Sequence, residues 1–154
     1  MRMKRTCLRL ALPTLLPLCL LACGTRTLPP STDVQSDGHN LYERVGGKEG
    51  IHAVVDALLK NLLADSRVSA FFRGDEHLPK LEEQLCELSG GPCHYRGKDM
   101  KAAHDRFGIS GPQFDAFLED FERALDAQRV SRADKDELLR PLSAMRGDVV
   151  GKPK

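Results

Sequence analysis

Between residues 51 and 63 the apolar side chains fall at Ile51, Val54, Val55, Leu58, Leu59, Leu62 and Leu63. Steps of three, four and one repeat the α-helical period, and the stripe they make runs over four turns. A stripe that long must be buried against other apolar elements. Three further series offer themselves: Leu78, Leu81, Leu85, Leu88; then Phe114, Phe117, Leu118, Phe121, Leu125; then Leu138, Leu139, Leu142, Met145, Val149. No segment alternates with period two, and no internal repeat appears. The expected fold class is all-α, with four main helices and short pieces between them.

Local chemistry punctuates these helices. Gly46-Gly47 precedes the first and Asp65-Ser66 follows it. VSAFF (68–72) is a short apolar piece, a loop or a single turn. Pro79 suits the first turn of the second helix, and Gly90-Gly91-Pro92 stops it. Ser110-Gly111-Pro112-Gln113 has the form of a capping box, and Ser131 can start the last helix.

A shorter segment, DMKAAHDRFGI (99–109), carries the least expected pattern. Asp99 can cap a helix on which Met100, Ala103, His104 and Phe107 share a face. Three of these are apolar and the fourth is an imidazole. The chain has six Phe, two Tyr and no Trp, and all six Phe lie in the half of the domain around His104. Aromatic faces around one imidazole suit a flat apolar ligand, and they equally suit an ordinary core.

The N-terminus reads differently. Arg2, Lys4, Arg5 and Arg9 precede an apolar run from Leu10 to Ala22, too short for the ~20 residues of a spanning helix. This is the pattern of a secretory signal. Leu20-Leu21-Ala22-Cys23 resembles a bacterial lipobox. That resemblance implies cleavage before Cys23, lipidation of Cys23 and stable membrane attachment through several acyl chains. The other reading is an ordinary cleaved signal that contains a Cys. Gly24 follows where an inner-membrane retention signal would have Asp, which favours the outer membrane. The expected divisions are a signal peptide at 1–22, a flexible Pro/Ser/Thr/Gly-rich tether at 23–40 and a folded domain at 41–150. The expected location is the periplasmic side of the cell envelope.

Loss of residues 1–22 leaves 19 basic against 22 acidic residues, a net charge of about −3. Without a basic block or aromatic-basic interleaving, nucleic acid is not an expected partner. Of the five Cys, Cys86 and Cys93 fall in the folded part. They form either a short disulfide loop, as an oxidising compartment allows, or two free thiols.

LYERVGGKEGI, AFF before a glycine, GGPCHYRGKDM, MKAAH, FGI and LSAMRGDVV, in this order, resemble the bacterial truncated haemoglobins of group I. The resemblance spans residues 41 to 150. It implies a truncated globin, a two-over-two helical sandwich, around non-covalent haem b. The M-x-x-x-H segment then makes His104 the iron ligand, with Met100 and Phe107 bordering the porphyrin and Ile109 of the FGI motif beside them. Phe72 and Phe114 match haem-packing positions, and Leu81 and Leu85 match haem-facing positions of the distal helix. Oxygen, nitric oxide or carbon monoxide is the implied ligand.

The departures concern the distal side. Many relatives carry a Tyr in the first long helix, where this chain has Leu58-Leu59, and a Gln where it has Leu81. A bound gas that gains from a hydrogen bond loses that donor, so oxygen should leave faster. His77 either caps the iron, donates to the ligand or sits in solvent beside Asp75 and Glu76. Cys93-His94 ends like a covalent haem motif, but Gly90 stands where its first Cys belongs. Three functions stay open: gas binding for storage, delivery or sensing; a haem enzyme acting on nitric oxide or peroxide; and a structural lipoprotein without haem. An enzyme is the lesser expectation, since no reductase domain is attached and the electron donor is unidentified.

Overall fold

The structure is a computed structural model, and it describes residues 38–73 and 78–151. Contacts divide the chain after Gln35, and every described residue lies in the unit Ser36–Lys154. Among the described residues seven α-helices follow in order: α1 (Leu41–Arg44), α2 (Gly47–Ala64), α3 (Leu78–Leu88), α4 (Met100–His104), α5 (Gly111–Ala127), α6 (Arg132–Ala144) and α7 (Arg146–Val149). One 3₁₀ turn, Ser69–Phe71, lies between α2 and α3. There is no strand among the described residues.

The α2 stripe directs the packing. Ile51, Val54, Val55, Leu58 and Leu62 are buried against α5 and α3, and α5 in turn packs on α6. Leu63 departs from expectation: it is 48% exposed. Including it widens the stripe beyond the face that α3 and α5 cover, so it falls to solvent. At the other end, Gly46 has a φ of 97°, the left-handed region that favours glycine. Gly50 lets the helix pass the preceding turn, because a Cβ there would overlap the Val45 carbonyl.

The caps agree with the sequence signals. Ser110 and Gln113 form both halves of a capping box on α5. Ser131 Oγ accepts from the Asp134 amide at 3.2 Å at the start of α6. The stripe through Met145 to Val149 is not one helix, however: the chain breaks at Met145 into α6 and α7. Pro141 lies inside α6 and cannot donate to the helical ladder, which weakens its last turn.

Long-range polar contacts close the frame. Arg44 of α1 donates to Asp134 at 2.7 Å and to Glu137 at 2.6 Å, both on α6. The Tyr42 amide donates to Ser89 O at 2.8 Å, and Asn40 Nδ2 to Gly90 O at 2.9 Å, which fastens α1 to the end of α3. Cys86 and Cys93 are joined as a disulfide with Cα atoms 5.7 Å apart. Of the two readings of this pair, the structure has the bridge.

Candidate functional site

The segment between α3 and α4 has no helix from Gly91 to Asp99. Its ends are fixed by the disulfide on one side and by Asp99 on the other, whose carboxylate accepts from the Ala102 amide at 2.8 Å and starts α4. Helix α4 packs mainly on α7, and little of its surface meets α3. A cavity of about 500 Å³ opens between these elements, in the range of cofactor pockets, roughly 300–1,000 Å³.

His104 lines this cavity from α4. Its Nδ1 lies 2.7 Å from the carbonyl oxygen of Met100, one turn earlier. A carbonyl only accepts, so Nδ1 donates and Nε2 of the neutral ring keeps its lone pair. The helix thereby selects the tautomer that can ligate a metal through Nε2. The imidazole on an apolar face is a satisfied side chain at one nitrogen and an unused base at the other.

Phe72, Leu81, Met100, Phe107, Ile109 and Phe114 line the same cavity. Leu58, Leu59 and Leu85 do not. Leu58 and Leu85 are in the core, no more than 1% exposed, and α2 reaches the cavity one turn later at Leu62. Leu59 is half-buried away from it. Leu58 and Leu85 belong to the core cluster that α2 and α3 build with α5. His77 and Cys23 lie outside the described residues. His52 is on the surface, with Nδ1 2.7 Å from Glu82.

The aromatic wall is organised. Phe71 meets Phe107 edge to face at 6.4 Å. Phe72 stacks on Phe117 at 6.3 Å, and Phe117 on fully buried Phe121 at 6.4 Å. Arg146, paired with Asp115, lies 5.5 Å over the Phe114 ring and supports it from behind.

The sequence reading missed the polar members. Lys80, Arg96, Lys98 and Arg106 are exposed lining residues and mark where the cavity opens. Lys80 pairs with Glu83 at 2.8 Å and holds that carboxylate below its ordinary range. Tyr95 donates to Lys98 O at 3.0 Å, and burial raises its phenol pKa, so it stays neutral at pH 7. Gln84 Nε2 lies 3.3 Å from Met100 Sδ and 3.4 Å from Met145 Sδ. The signal for Gln84 was available: it is three residues past Leu81, a polar residue on an apolar face, as His104 is.

An apolar slot with an imidazole tethered to its helix at one nitrogen, and with lysines and arginines at its mouth, suits a flat, anionic-edged metal cofactor. The family model of bacterial-like globins matches residues 40–150. The group 1 truncated haemoglobin of Tetrahymena thermophila is 36% identical over 115 residues, 73% of this chain and 95% of that protein. That of a Nostoc species is 30% identical over 116 residues. The crystal structure of the Tetrahymena pyriformis truncated haemoglobin, Fe(III) form, is 33% identical with a TM-score of 0.69, covering 74% of this chain and all of that one. A Synechococcus 2/2 haemoglobin, in the cyanomet state with covalently attached haem, is 27% identical with a TM-score of 0.68. The chain belongs to the truncated haemoglobin family of globins, with the two-over-two helical fold, and is a haem-binding globin.

Proposed function

We propose that this globin holds haem b through His104 and reversibly binds a diatomic gas, oxygen foremost, in the cavity on the opposite side. The observation that carries the reading is the His104 ring, fixed at Nδ1 by Met100 O and presenting Nε2 in a 500 Å³ apolar cavity. When bound, the haem supplies the metal centre at which the gas is held. The chain's own residues do the rest. His104 would hold the metal on one side only, since no second histidine lines the cavity among the described residues. Phe72, Phe107 and Phe114 offer flat apolar surface and exclude water. Lys80, Arg96, Lys98 and Arg106, exposed on the cavity lining, would offer cations to the carboxylates of a porphyrin.

The cofactor is non-covalent on this reading. Cys93, the one thiol beside a histidine in the pattern Cys93-His94, is already committed to Cys86. The pocket is also short of donors for the gas: α2 contributes no hydroxyl and Leu81 no amide, which supports fast oxygen release.

Titration of the haem-free protein with haemin tests the assignment. A Soret band saturating at one equivalent is expected, and His104→Ala should abolish or shift it. Absence of the band, or a variant indistinguishable from the parent, would refute the site. Slow oxygen release would refute the donor-poor pocket and direct attention to His77.

The location is proposed on separate grounds. The Leu20-Leu21-Ala22-Cys23 sequence supports lipidation and attachment to the outer membrane facing the periplasm. A disulfide suits that oxidising compartment. Labelling with radioactive palmitate, lost in Cys23→Ser, is the expected result. Unlabelled parent protein would reject the anchor.

A further inference from the structure

The polar groups that line the cavity are nearly all committed. Tyr95 is bound to Lys98 O, Gln113 Oε1 accepts from Ser110 N at 2.9 Å and Ser110 Oγ at 2.9 Å, and His104 Nδ1 is bound to Met100 O. Gln84 differs. Its amide is directed at two thioethers, Met100 Sδ on α4 and Met145 Sδ at the break between α6 and α7. Among the described residues this is the one hydrogen bond that joins α3 to α4. Sulfur is a weak acceptor, so its value here is in where it holds the partner.

Met100 is the residue whose carbonyl receives His104 Nδ1. One residue therefore meets Gln84 through its side chain and His104 through its backbone. Helix α4 has five residues, far below the ~12–15 at which an isolated helix becomes even marginally stable. Its geometry must come from anchors: the Asp99 cap, the packing on α7, and the Gln84 amide.

We propose that Gln84 is a positioning residue for His104, acting through Met100: its amide fixes the first turn of α4, and with it the carbonyl that sets the imidazole's tautomer and orientation. This rests on His104 being the metal ligand. A looser Met100 carbonyl weakens the Nδ1–H bond, and a weaker bond makes Nε2 a poorer donor to the metal. Gln84 touches neither the metal nor the gas on this account.

The test uses the haem-loaded mature protein with four variants: Gln84→Leu, Met100→Leu, the double variant, and His104→Ala. Leucine keeps volume at both positions and removes the amide or the sulfur. The readouts are the iron–histidine stretching frequency of the reduced protein by resonance Raman, and the rate of haem loss to an apo-globin scavenger. Gln84→Leu and Met100→Leu are each expected to lower the frequency and speed haem loss about threefold. The double variant should match the larger single effect, because both remove one contact. Effects that add, or a frequency and loss rate equal to wild type in Gln84→Leu, overturn the proposal. A Gln84→Leu protein that releases oxygen faster at unchanged frequency also overturns it, by placing the amide on the gas side. If His104→Ala keeps the iron–histidine signal, the ligand assignment and this proposal fall together. If His104→Ala loses it and Gln84→Leu does not shift it, the proposal alone falls.

Discussion

Breaking the Cys86–Cys93 bridge should cost this domain a defined amount of stability. The two residues are seven apart in sequence. The chain-entropy relation for a loop of that length gives about 2.5 kcal/mol at 25 °C. With an unfolding entropy of ~2.1 cal/mol/K per residue over roughly 110 folded residues, the melting temperature should fall by about 10 °C. Cys93→Ser is the suitable variant. Cys93 is half-buried, whereas Cys86 is 4% exposed, and its thiol is an acceptable small apolar group once freed. Thermal unfolding followed by circular dichroism, on haem-free protein with and without dithiothreitol, reads the effect. Reduced wild type and Cys93→Ser should melt at the same lowered temperature, and reductant should not change the variant further. The bridge also tethers the segment that carries Tyr95, Arg96 and Lys98 to the cavity, so haem affinity should drop alongside. A melting temperature within 2 °C of the oxidised parent would refute the reasoning, since the loop would then be ordered by its other contacts alone.

Two further outcomes follow from single residues. His52 is raised above its ordinary pKa, first by the hydrogen bond to Glu82 and then by the charges of Asp56 and Glu82. A raised histidine stabilises the fold fully below its unfolded pKa of about 6.5 and loses that contribution as pH rises through the folded value. Unfolding in urea should therefore show wild type losing stability relative to His52→Gln as pH rises past about 6.5, and parallel curves would reject the link. Leu81→Gln places an amide on the cavity wall of α3, and oxygen dissociation measured by stopped flow should slow by about tenfold, as one hydrogen bond of ~1.4 kcal/mol implies. An unchanged rate would mean that position 81 does not face the gas.

The helices were legible because their signals are local. The α2 and α5 stripes, the Ser110 capping box and the Asp99 cap each lie within a few residues of sequence, and each appears in the structure. His104 was legible for the same reason: it breaks an apolar face. What the sequence did not contain was angle. Leu58, Leu81 and Leu85 are equivalent as leucines, yet only Leu81 reaches the cavity, because the mutual rotation of α2 and α3 decides which leucine meets which space. Gln84 escaped notice because its partners are thioethers on two distant elements. The break at Met145 escaped because periodicity in α6 continues across it, while the backbone does not.

The ladder of Phe72, Phe117 and Phe121 begins on the cavity wall and ends in the fully buried interior. The pocket and the core thus share a mutational fate. A change at Phe72 or Phe117 that alters ligand affinity also disturbs the stack that stabilises α5, so selection cannot vary one trait there without the other. Leu81 stands outside the ladder, on α3. Adaptation to a new gas or a new affinity has its freest path at that position, where the side chain can be exchanged with the least damage to the fold.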